Sequence, residues 1–155
     1  MRNTSRLALF AFLAFVVGLP TPASNIVQPS GGTANQNIRS IGASFDGGGS
    51  PLSTGKTVYF TAPFACTIAA WNITADTGTV SFDVWKIATG TAIPTVANSI
   101  MTGGFLSLGS GTAVHSTTLT NFTTTAVSAN DIFGINIEAV SGATELSLVI
   151  QCNAS

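Results

Sequence analysis

From Ile38 to its C-terminus the chain alternates apolar and polar residues with a period of two, and this alternation limits what it can fold into more than any other feature. Phe133, Ile135 and Ile137 alternate with Gly134, Asn136 and Glu138, and Leu146, Leu148, Ile150 and Cys152 form a second stripe. A period of two puts successive side chains on opposite faces of a strand, so each run predicts a strand with one buried face. Strands are expected over 38–45, 56–61, 67–75, 79–87, 114–119, 132–140 and 145–152, with a Thr-rich edge strand over 123–127. Clusters such as Asp46-Gly47-Gly48-Gly49-Ser50-Pro51 and Asp76-Thr77-Gly78 separate them as turns. The stretch 88–113 is irregular, with short strands expected at 99–101 and 105–108. Ser141-Gly142-Ala143-Thr144 is a short link containing glycine, which predicts that 132–140 and 145–152 form an antiparallel hairpin.

No helical period appears after residue 36, so the fold class is all-β. About eight strands spaced by turns predict a two-sheet antiparallel sandwich, jelly-roll-like. Composition agrees. Hydrophobic residues make up 45% of the 155 residues and charged residues 7%, against about 25% charged in ordinary soluble domains. Surface helices need that missing charge, whereas strands use Thr and Ser at exposed positions. Five Lys and Arg cannot neutralise many phosphates, which excludes a nucleic-acid partner.

Residues 1–23 have the three parts of a secretory signal peptide, predicting a signal-like hydrophobic helix ahead of the fold. Arg2 and Arg6 come first, 7–19 is uncharged and apolar, and Pro20-Thr21-Pro22-Ala23 precedes a cut after Ala23. The apolar run is shorter than the roughly 20 residues of a spanning helix, so membrane contact would arise only from this segment left uncleaved. Its removal leaves three basic residues against six acidic ones, a net charge of −3. Residues 24–36 read as an extended arm, and 37–155 as one domain.

Few residues suggest chemistry. His115 is the only histidine, so a His-rich metal site is impossible, and its position in an alternating strand makes it an exposed strand residue. No motif for a cofactor, a metal or a catalytic nucleophile occurs, and none is expected. Asp46, Asp76 and Asp131 lie in turn contexts, while Asp83 and Glu138 are outward strand positions. Trp85 and Tyr59, with Asp83 or Asn72 beside them, are the candidate ligand-binding set. Exposed together, the two rings would make a platform for a sugar. The competing expectation packs Trp85 beneath the 88–113 connection. Trp71 is expected in the core. Its parity conflicts with that of Cys66 and Ile68 unless a bulge near Ala69-Ala70 shifts the phase. Cys66 and Cys152 are the only cysteines, and an export signal permits a disulfide between them, with two free buried thiols as the alternative.

The order of short motifs resembles a small β domain of tailed-bacteriophage and prophage structural proteins. The residues that carry it are Asp46-Gly47-Gly48-Gly49-Ser50, Thr54-Gly55-Lys56, Ala62-Pro63-Phe64, Thr67-Ile68-Ala69-Ala70-Trp71, Asp76-Thr77-Gly78 and Asp83-Val84-Trp85-Lys86. Ile93-Pro94-Thr95, Asn98-Ser99-Ile100 and Ala129-Asn130-Asp131-Ile132-Phe133 follow in the same order. The resemblance implies a non-enzymatic virion component of tail, fibre or capsid surface, packing against copies of itself or other virion proteins. Cys66, Cys152 and the export signal depart from that pattern. They raise the alternative of a secreted bacterial module that binds a glycan or a host-surface receptor, located outside the cell rather than in a virion.

Overall fold

The computed structural model describes residues 37–90 and 92–154. The readings of 1–23 as a signal peptide and of 24–36 as an arm fall outside these residues.

Nine strands are described: β1 (Ile38–Asp46), β2 (Thr57–Thr61), β3 (Cys66–Ala75), β4 (Thr79–Ile87), β5 (Leu106–Leu108), β6 (Ala113–Ser116), β7 (Ala126–Val127), β8 (Ile132–Ser141) and β9 (Glu145–Ala154). They form two antiparallel sheets. The first runs β1-β9-β3-β6, with β7 also pairing β3, and the second runs β2-β8-β4-β5. From β1 to β4 each strand enters the opposite sheet from its predecessor, so the inward stripes of both sheets close on one core. Phe82, Phe133, Ile73, Ile135, Leu148 and Ile150 are fully buried there. Each such side chain contributes roughly 1.5–3 kcal/mol. Phe45 near the end of β1 stacks on Phe82 of β4 with ring centroids 5.7 Å apart, a contact between the two sheets.

The alternation gives the inward residues of β4, β8 and β9 correctly, but the expected hairpin does not form. β8 pairs with β2 and β4, whereas β9 pairs with β1 and β3, so the link 141–144 crosses from one sheet to the other. Its polar groups are taken by other loops. Gly47 N–H donates to the Thr144 carbonyl (2.8 Å) and Leu52 N–H to the Ala143 carbonyl (2.8 Å). Asp76 receives the Thr144 hydroxyl (2.6 Å). The link is therefore held from outside, not folded back on its own strands.

β3 contains the expected bulge. Its register against β9 shifts between Ile68 and Ala70, and Cys66, Ile68, Trp71 and Ile73 all face inward as a result. Three expected strands are reduced, the edge strand over 123–127 to the two residues of β7. Residues 99–101 make isolated bridges, Trp85 with Ser99 and Met101 with Phe122, and β6 ends at Ser116 instead of residue 119.

Candidate functional site

The structure brings Tyr59, Trp85 and Asp83 together on the outer face of the second sheet. β8 lies between β2 and β4, and the register sets Gly134 opposite both Tyr59 and Trp85. The two rings close over that glycine. A Cβ at position 134 would lie 3.0 Å from Tyr59 Cε1 and 3.1 Å from Trp85 Cε3. A glycine inside an otherwise alternating strand marks such a close approach.

One step along the sheet, Thr57, Asn136 and Asp83 form a polar row. The Thr57 hydroxyl donates to Asn136 Oδ1 (3.0 Å), and Asn136 Nδ2 donates to Glu138 Oε2 (3.3 Å). Asn136 was expected to be exposed and is instead 6% exposed, because its amide is spent on these neighbours. Asp83 is 2% exposed. Its carboxylate accepts Trp85 Nε1–H (2.6 Å) and the Ser99 hydroxyl (2.6 Å), which offset the cost of taking the charge from water. Asp83 and Glu138 do not face each other, since Glu138 occupies the irregularity between β4 and β8.

The platform of two exposed rings is not formed. Tyr59 is 41% exposed, but Trp85 is 9% exposed. The reason is the connection after β4. Pro94 is fully buried, a 3-10 turn over Val96–Asn98 packs on β4, and Ile100 N–H donates to the Val84 carbonyl (2.9 Å). Parity placed Trp85 on the outer face, and this added segment then covered it.

Asn72 does not join the set. It lies on the outer face of the first sheet, where its Oδ1 is 2.7 Å from Nδ1 of His115, an exposed strand residue as expected. Across that face run two rows, Gly42-Val149-Asn72 and Ser44-Ser147-Thr74. The Thr74 and Ser147 hydroxyls are 2.7 Å apart.

Cys66 and Cys152 form a disulfide, with Cα atoms 5.6 Å apart. They sit diagonally on the neighbouring strands β3 and β9, Cys152 being opposite Ile68. Both are buried.

Three other carboxylates, those of Asp46, Asp131 and Asp76, brace turns. Asp46 Oδ1 accepts Gly48 N–H (2.6 Å). Asp131 accepts Ser128 N–H (2.9 Å) and Lys86 Nζ (2.8 Å), an ion pair tying β4 to the turn before β8. Nothing in the alternation marked this pair. Asp76 is held at a pKa of about 2, well below its usual 3.8, first by the Thr144 hydroxyl and then by the Glu145 N–H. A shallow cleft of about 520 Å³ has Asp46, Asp76 and Glu145 on its rim. Among the described residues, no three His, Cys, Asp or Glu side chains are grouped so as to hold a metal ion.

No protein-family model matches the chain, and no curated protein matches it. Among solved structures the chain is similar to one described as the structure of infectious bursal disease virus Gx strain, with 12% identity and a TM-score of 0.27. The match covers 76% of this chain but 36% of that one. A likeness of that size does not bear on what this chain does.

Proposed function

We propose that the strand order is that of a jelly roll, and that the domain is a non-enzymatic structural component of a phage or prophage virion, in the tail, a fibre or the capsid surface. Jelly rolls recur in viral shells and in lectins, so the fold by itself leaves the role open. The observation that supports a structural role is how the polar side chains are used. Trp85 and Ser99 donate to Asp83, Asn136 bonds Thr57 and Glu138 on the same sheet, and Lys86 pairs with Asp131, so these side chains are spent on neighbours that brace the sandwich. The motif order resembling phage structural proteins supplies the virion part of the reading. The disulfide fits an oxidising destination, such as a particle outside the cell.

A second reading, a secreted bacterial module binding a glycan or receptor, keeps one favourable observation: Tyr59 stays open beside Gly134. Mass spectrometry of gradient-purified particles from the producing culture separates the two. Peptides from β1 to β9 in the particle fraction support the structural role. The chain found solely as free protein in the medium overturns it.

A further inference from the structure

We propose that the outer face of the first sheet is a self-association surface, on which a second copy of this chain stacks face to face. The proposal rests on the reading of the domain as an assembly module and names the surface it would use.

The face carries no charged residue over most of its extent. Between Ser40 and Ser44 on β1, Thr67 and Thr74 on β3, and Ser147 and Asn153 on β9, every residue is uncharged. Asp46 and Glu145, opposite each other, confine charge to one end. Arg39 points the other way, with its guanidinium 5.0 Å from the Phe64 ring centre. Depletion of charge at the centre is what separates an interface core from ordinary protein surface.

The relief of the face suits close approach. Gly42 offers no side chain beside Val149, and a Cβ there would run into the Leu148 carbonyl. Four of its polar side chains are already paired within the face, Thr74 with Ser147 and Asn72 with His115, so each of these four keeps a partner when the face is covered. At about 4.8 Å between strands and about 3.4 Å per residue, the face spans roughly 500 Å². Two copies stacked on it would bury roughly 1,000 Å² or more in total, about the minimum for a specific interface.

A second copy is the occupant that fits. An uncharged face of small side chains does not repel itself, and one patch meeting its twin closes as a two-fold pair. The second sheet is less suited, since the 94–101 segment lies along its margin and Glu138 is exposed on it.

Sedimentation velocity on the purified full-length chain, over a range of concentrations, tests this. The wild type is expected to dimerise. Gln151→Lys puts two like charges into the contact and should raise the dissociation constant about tenfold or more. Thr61→Lys, on the second sheet, should change nothing. Thermal melts check that each variant is folded, and Thr74→Lys replaces Gln151→Lys should that variant melt early. A wild type monomeric at every concentration overturns the proposal. So does a dimer indifferent to both face variants. Either result leaves the virion reading standing, because particle mass spectrometry decides that separately.

Discussion

Replacing both cysteines, Cys66→Ala with Cys152→Ala, is the perturbation whose size follows most directly from the fold. The bridge links residues 86 apart, from the first residue of β3 to near the end of β9. In the chain-entropy model a loop of that length is worth about 4–5 kcal/mol. Structure retained in the denatured chain lowers the measured figure, and about 3 kcal/mol is the value to expect. Neither alanine leaves a buried polar group behind, but both remove a buried sulfur, so the reduced wild type, which keeps both sulfurs, separates the cross-link from the packing loss. With an unfolding entropy of about 2.1 cal/mol/K per residue, each kcal/mol moves the melting temperature of a domain this size by about 4 °C. The double variant should therefore melt about 10–15 °C below the oxidised wild type. Calorimetry in the presence and absence of a reductant is the assay, and the reduced wild type should melt close to the variant. A variant within about 2 °C of the wild type, with the reductant without effect, would refute the reasoning.

Asp76→Asn should matter less as the solution is acidified. The folded-state pKa is depressed, so the stabilisation is fully present above 3.8 and is lost as pH falls through about 2; the gap in melting temperature between wild type and variant should close over that window. Gly134→Val drives a branched side chain between the Tyr59 and Trp85 rings, and urea titration should show a loss of about 1–3 kcal/mol, with Trp85 fluorescence shifted to the red as the ring is displaced into water. Lys86→Met leaves the buried Asp131 carboxylate without its cation and should cost about 2–4 kcal/mol; adding Asp131→Asn should recover part of that, which a double-mutant cycle measures.

Alternation told the inside from the outside, and it did so well where a strand is flanked on both sides. Phe82, Phe133, Leu146 and Leu148 are buried as expected, and the conflict between Cys66 and Trp71 located the β3 bulge. Parity carries no information on partners, however. The link 141–144 has the length and the glycine of a hairpin turn, yet it crosses between sheets because distant loops satisfy its carbonyls. Nor does parity describe what is laid over an outer face. Asp83, Trp85 and Asn136 all point outward as read, and all three are buried: the connection after β4 covers Trp85, and hydrogen-bonding neighbours enclose Asp83 and Asn136. Gly134 was the one local sign, since a glycine amid Phe133, Ile135 and Ile137 suggests a close neighbour. The disulfide was half legible. Parity and cysteine count allowed it, but only the placement of β9 beside β3 brings the Cα atoms to 5.6 Å.

The role as a virion component is tested most directly by labelling intact particles. Antibody raised against the folded domain, coupled to gold and applied to gradient-purified particles from the producing culture, should decorate their tails, fibres or shells at regular positions. Bare particles, with all of the label on free protein or on the cell envelope, would contradict it.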